Sequence, residues 1–188
     1  MRLIEAAQRV FKESGPNASL DKIAEAAGTT KVTLYSHFPN KDALLEAALL
    51  SAYRQRFGFF DDPLDVGDPH GVLLRLAEEY LDLVTNEDLA AIILVLFQGA
   101  ERAPALAQRF FEQGPAAFAR QLTAYLKRIP ALKLEHPEFA AEQFIGMIRG
   151  AEQTRALLHL PLSRRGARRR AYLQSCIVLF LRAHGHGG

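Results

Sequence analysis

Residues 28–41 read GTTKVTLYSHFPNK. Three threonines and a valine are poor helix formers, yet apolar residues recur at three- and four-residue spacing on both sides of the segment. Before it, Leu20, Ile23, Ala24 and Ala27 share one face of a helix that Ser19 is placed to cap and Gly28 to end. After it, Pro39 stops whatever precedes, and Asn40 caps a further helix whose first turn carries Asp42, a charge that suits the helix dipole. The stretch between the capping Thr30 and Pro39 is therefore a helix of about two turns, ~12 Å long. Two short helices joined through a glycine are the parts of a helix-turn-helix, and such a length fits a major groove roughly 12 Å wide. Ala24 lets the helices cross closely, while Ile23, Leu34 and Phe38 fill the space beneath.

Working outward, Leu3, Ile4, Ala7, Val10 and Phe11 mark one face of an earlier helix, which SGPN at 14–17 ends. The helix opened by Asn40 runs on through ALLEAALLSAYRQRF to residue 57. GFFDDPLDVGDPHG, residues 58–71, shifts to Pro, Gly and Asp and reads as a linker. Beyond it the periodicity predicts helices at 71–85, 87–101, 104–128, 137–160 and 165–184, punctuated by Pro104, Pro130, Pro137 and Pro161. No run of alternating β-branched residues competes. The predicted fold is all-α: an N-terminal three-helix helix-turn-helix domain over residues 1–50 and a larger helical domain over 51–188.

Composition narrows the function. The 188 residues are 49% hydrophobic, and 23 Lys and Arg face 21 Asp and Glu, so net charge alone does not announce a nucleic-acid binder. A single cysteine, Cys176, excludes an intramolecular disulfide framework and suits a reducing compartment; within SCIVLFL it reads as a small buried hydrophobe. No stretch approaches the ~20 apolar residues of a membrane span, and the start of the chain lacks the apolar core and cleavage site of a signal peptide. A cytoplasmic protein is expected. Histidines are scattered at 37, 70, 136, 159, 184 and 186, and no Ser/His/Asp, Cys/His or metal-spaced cluster emerges. No catalytic residue, metal site or cofactor is predicted, and the terminal HGHGG reads as a frayed tail rather than a metal site.

SLDKIAEAAGTTKVTLYSHFPNKDALLEAAL, with AAQRVF before it, resembles the N-terminal domain of the TetR family of transcriptional regulators. The glycine turn, the capping Thr30, TLYSHF and the Pro-Asn-Lys-Asp opening of the fourth helix fall in register. RAPALAQRFFEQGPAAFARQL and EFAAEQFIGMIRGA resemble the regulatory domain of one broad branch of that family. The chemistry of the residues points the same way: Thr30, Lys31, Val32 and Thr33 face outward at the amino end of the short helix, where methyl groups and hydroxyls suit base edges. Tyr35, Ser36 and His37 lie on the flank that meets the phosphate backbone, the role the resemblance assigns to Tyr35 and His37. Lys41 sets a charge beside free backbone N–H groups, and Ser19 and Leu20 begin a helix whose amino end suits a phosphate. Two departures stand out. The resembled family carries a basic arm ahead of its first helix where this sequence has only Arg2, and Val32 stands where glycine is common. Residues 1–50 balance six basic groups against six acidic ones, so nonspecific affinity is expected to be modest and dimerisation necessary.

In the larger domain, Phe139, Phe144, Ile148 and Ala151, with Leu173, Ile177, Phe180 and Leu181, are the expected dimer interface. The resemblance implies a four-helix bundle there, and an internal core is the alternative. Phe97, Gln98, Glu101, Phe118, Gln143 and Met147 would suit a largely apolar ligand pocket, though each also reads as core. RRGARRR at 164–170 is either a solvated loop or a site for an acidic partner or ligand. The expected function is a homodimeric regulator that binds double-stranded operator DNA, a repressor released by a small, largely apolar ligand. The alternatives are a helical protein-interaction module or an enzyme with an apolar pocket.

Overall fold

A computed structural model of the chain describes residues 2–54, 60 and 63–185. The end of the fourth predicted helix, the first part of the 58–71 linker and the last three residues of the HGHGG tail lie outside the described residues. Among the described residues every regular element is helical, as the periodicity requires. The order is α1 (Arg2–Ser14), a 3-10 turn (Gly15–Asn17), α2 (Leu20–Ala26), α3 (Lys31–His37), α4 (Lys41–Arg54), α5 (Pro69–Val84), α6 (Glu87–Gly99), α7 (Pro104–Gln113), α8 (Pro115–Leu126), α9 (Pro137–Arg149), α10 (Glu152–Leu157) and α11 (Gly166–Ala183). Four of these open on proline, which needs no N–H partner in a first turn.

Two predicted helices are each broken in two. The one expected over 104–128 stops at Gln113, because Pro115 can neither donate to the preceding turn nor fit its ring against it; the proline opens α8 instead. The one expected over 137–160 breaks at Gly150, whose φ of 49° lies in the left-handed region. A Cβ at that position would also sit 2.9 Å from Nη2 of Arg164, which would have to move aside, but it is the backbone conformation that calls for glycine.

The chain divides into two compact units, one of residues 1–56 and 86–114, the other of 57–85 and 115–188. In the first, Ala6, Ala7, Val10 and Phe11 of α1 pack with Ile23, Ala24, Leu34, Leu44, Ala48 and Leu49 as a buried core. α6 and α7 join that unit: Lys12 meets Asp88 at 2.6 Å, and Arg109 grips both carboxylate oxygens of Glu46 at 2.5 and 2.7 Å. In the second unit Phe118 is fully buried with its ring 4.7 Å from that of Tyr80, and Leu73, Leu122, Phe144, Ile148, Leu173 and Ile177 complete the core. The Tyr125 hydroxyl donates to the Asp65 carbonyl at 2.8 Å; burial first, then the acidic Asp65 and Asp68, push its pKa up to about 12.

Candidate nucleic-acid interface

The turn between α2 and α3 is built from the chain outward. Ser19 Oγ accepts from the Lys22 N–H at 3.2 Å and starts α2. Gly28, at φ 65°, ends it: its N–H reaches the Glu25 carbonyl at 3.0 Å and the Thr29 N–H reaches that of Ala24 at 2.9 Å, the paired closure that a left-handed residue permits. Thr30 Oγ1 accepts from the Thr33 N–H at 3.2 Å to start α3, and Asn40 Oδ1 accepts from the Ala43 N–H at 2.8 Å to start α4. Leu34 alone on α3 is fully buried and pins the helix to the core, with Phe38 half-buried beyond it.

Everything else on α3 faces solvent. Thr30, Lys31, Val32, Thr33, Tyr35, Ser36 and His37 are all exposed, Val32 at 80% and Tyr35 at 45%. A valine so exposed contributes nothing to the core and gives up helix propensity. The hydroxyls are partly occupied: Thr30 and Thr33 share a hydrogen bond at 3.0 Å, and Ser36 Oγ donates to the Thr33 carbonyl at 2.7 Å. Ser19 and Leu20 are half-buried at the amino end of α2, and Lys41 is half-buried at the first position of α4. One feature is absent from the sequence patterns: Lys31 Nζ sits 2.9 Å from Oδ1 and 3.0 Å from Oδ2 of Asp21. That hydrogen bond and the carboxylate's charge raise the Lys31 pKa. The pair spans ten residues across a turn, a separation for which no helical spacing rule gives a signal.

The expected dimer interface needs correction. Phe144, Ile148, Leu173, Ile177, Phe180 and Leu181 are buried within their own unit, so they are core and present no surface to a second chain. Phe139 and Ala151 are exposed. The large apolar groups that α9 and α11 turn outward are Phe139, Val178 and Leu179, at 53, 38 and 62% exposure. The six expected ligand residues do not gather in one unit either. Phe118 is core, Met147 is half-buried, and Phe97, Glu101 and Gln143 are exposed. Gln98 does line a cavity of about 250 Å³ in the first unit, with Lys41 and Arg102 at its edge and Leu45, Leu96 and Leu106 as its floor.

Three of the five arginines in the basic run pair with acids of the chain itself. Arg169 pairs with Asp82 at 2.7 Å, Arg170 with Glu78 at 3.4 Å and Arg164 with Glu152 at 3.4 Å. Two of the three acids lie on α5, about 90 residues away in sequence. Among the described residues no group of three or more His, Cys, Asp or Glu is placed to hold a metal ion, and no helix is long and apolar enough to cross a membrane.

Residues 3–48 match the family model described as bacterial regulatory proteins, tetR family, and residues 71–186 match that of the AefR-like transcriptional repressor C-terminal domain. The HTH-type transcriptional regulator UidR of Escherichia coli strain K12 is 32% identical over 65 residues, and the uncharacterized HTH-type regulator TtgW of Pseudomonas putida 47% over 51. These matches cover 34% and 27% of the chain and span 33% and 38% of the two relatives, so the match takes in only about a third of their length. Among solved structures, a TetR-family regulator from Mesorhizobium loti superposes with a TM-score of 0.83 at 22% identity, covering 98% of this chain and 95% of its own. The flavonoid-responsive regulator FrrA superposes with a TM-score of 0.78 at 29% identity, covering 97% and 94%.

Proposed function

The chain belongs to the TetR family and is a DNA-binding regulator of transcription, not an enzyme, and from that premise we propose that it acts as a homodimeric repressor released by a small, largely apolar ligand. Residues 1–50 read the operator and residues 51–188 carry dimerisation and most of the sensing, in the cytoplasm where the DNA lies. The observation that carries the proposal is the outer face of α3, seven exposed side chains held by one buried leucine. Thr30, Lys31, Val32 and Thr33 meet base edges, with Val32 against a thymine methyl. Tyr35, Ser36 and His37, together with Lys41 and the amino end of α2 at Ser19 and Leu20, meet phosphates on either side.

One such helix covers too few base pairs, so two copies must read half-sites one helical turn apart. The surface that fits a second copy is the outward side of α9 and α11, with the exposed Phe139 and Gly146 on one helix and Val178 and Leu179 on the other, rather than the buried residues of the same helices. A repressive role is supported by the description of the matched C-terminal domain. An aromatic, apolar effector is supported by the flavonoid response in FrrA's name and by the cavity beside Gln98, whose floor is aliphatic and whose rim includes Lys41. A ligand there would bias the unit against the placement of Lys41 that operator binding needs.

Footprinting of the purified protein on duplex DNA, with light scattering alongside, tests the proposal. A protected pseudo-palindrome, a dimeric mass and loss of protection on adding a flavonoid or a similar aromatic compound are expected. A monomer that protects an asymmetric site, or protection unchanged across such compounds, refutes the dimer or the effector respectively.

A further inference from the structure

Residues 1–50 hold six basic side chains: Arg2, Arg9, Lys12, Lys22, Lys31 and Lys41. Inside the first unit Arg9 donates to the Ala26 carbonyl at 3.3 Å, Lys12 pairs with Asp88 at 2.6 Å, and Lys31 pairs with Asp21 at 2.9 Å. Of these, only Lys31 lies at the end of α3 that faces the groove in the proposed mode. Asp21 is the second residue of α2, where an acid suits the helix dipole, but neither packing nor capping requires it. Its side chain is 68% exposed, and the cap of α2 is already made by Ser19. Both of its carboxylate oxygens lie within 3.0 Å of the Lys31 ammonium, which they hold back across the Ala27–Thr30 turn.

We propose that Asp21 is a positioning residue for DNA recognition: it latches Lys31 against α2, and the lysine reaches DNA only where an acceptor stands ready to take the carboxylate's place. The inference rests on the placement of α3 in the groove proposed above. A half-exposed ion pair is weak in water and exchanges readily. A base acceptor in the right position therefore draws Lys31 away from Asp21. On DNA that offers none, the lysine stays latched and adds no charge to nonspecific binding. Asp21 thus costs some affinity on every duplex and withholds a contact from the wrong ones, which is discrimination by a penalty rather than by an added attraction.

Asp21→Asn and Lys31→Met, singly and together, test the latch. Affinities are measured as a function of salt for a duplex the wild-type protein selects from a random pool and for a scrambled duplex of the same composition. Asp21→Asn should tighten binding to both by about threefold to fivefold, the scale of one surface ion pair. On the scrambled duplex it should also steepen the salt slope by about 0.9, the signature of one more phosphate neutralised. On the selected duplex the slope stays as it was, because Lys31 already contacts DNA there. In the Lys31→Met background Asp21→Asn should change neither affinity. If it tightens binding there as much as in the wild type, Asp21 acts only by repelling phosphate and the latch is overturned. The latch also falls if Asp21→Asn binds like wild type while wild type still selects a duplex; if wild type selects none, the groove placement fails first. Asp21→Ser, which also suits a helix's first turn, should repeat the Asn result and separates the loss of charge from any local effect of the amide.

Discussion

Glu152→Gln should destabilise the second unit by about 2–3 kcal/mol at neutral pH. Glu152 opens α10 just past the Gly150 break and is 2% exposed. Its carboxylate accepts from the Ser163 hydroxyl and from the Ser163 N–H at 3.0 Å, and faces Nη2 of Arg164 at 3.4 Å. The Arg164 guanidinium in turn lies 3.7 Å from the centre of the Tyr172 ring, so one acid fastens the connection between α10 and α11 onto both helices. Glutamine keeps the shape and one acceptor oxygen, but its amide turns a donor toward donors and leaves Arg164 without its counter-charge. Hydrogen bonds to a charged group contribute about 1.5–3 kcal/mol, and one such bond plus part of the ion pair is lost. At about 2–4 °C per kcal/mol for a chain of this size, melting should fall by roughly 5–10 °C. Burial pushes the Glu152 carboxyl up, but the Ser163 hydroxyl, the Arg164 charge and the backbone N–H groups of Ser163 and Arg164 outweigh it and hold the pKa below its ordinary 4.5. A lowered folded-state value means that the contribution is fully present above pH 4.5 and is lost as pH falls through the lower value. Urea denaturation of both proteins from pH 7 down to pH 3 should therefore show a gap that closes in acid. A variant within 0.5 kcal/mol of wild type at pH 7, or a gap that stays constant with pH, would refute this account.

Other outcomes are expected from the same geometry. Gly28→Ala should cost about 1–2 kcal/mol from its φ of 65° alone, since nothing lies within 4 Å of an added Cβ; Gly28→Asn should cost less, and equal losses in a denaturation series would point to a clash instead. Lys41→Ala should weaken binding to every DNA sequence alike and flatten the salt slope by about one, read by fluorescence anisotropy; an unchanged slope removes its phosphate role. Leu179→Glu should yield a folded monomer by light scattering and circular dichroism, because the side chain is 62% exposed in the single chain. Phe118→Ala should cost about 3–5 kcal/mol by the same denaturation, as a buried ring removed from contact with Tyr80.

The helix-turn-helix was legible in the sequence because its devices are local. Ser19, Thr30 and Asn40 each cap three residues ahead, and Gly28 supplies a conformation that few residues adopt. The breaks at Pro115 and Gly150 were marked by the residue types that break helices, but apolar periodicity runs straight through both and masks them. Burial on α9 and α11 was misjudged for a different reason. A helix with apolar residues on most of its faces buries the larger set against its own neighbours, and periodicity cannot separate those from the few that remain outside. Phe180 and Leu179 are adjacent in sequence, one 2% exposed and the other 62%. The partners of Arg169 and Arg170 and the Lys31–Asp21 pair escaped because they are set by tertiary packing.

The two compact units do not follow one another along the chain. The backbone passes from one to the other between residues 56 and 57, again between 85 and 86, and again between 114 and 115. An engineer who grafts residues 1–56 onto a foreign sensing half would strip that fragment of Asp88, Arg109 and Phe110, the partners of Lys12, Glu46 and Tyr53. A portable operator-reading cartridge from this protein has to bring residues 86–114 with it, and a chimera designed that way should keep the melting behaviour of its donor where the shorter graft would not.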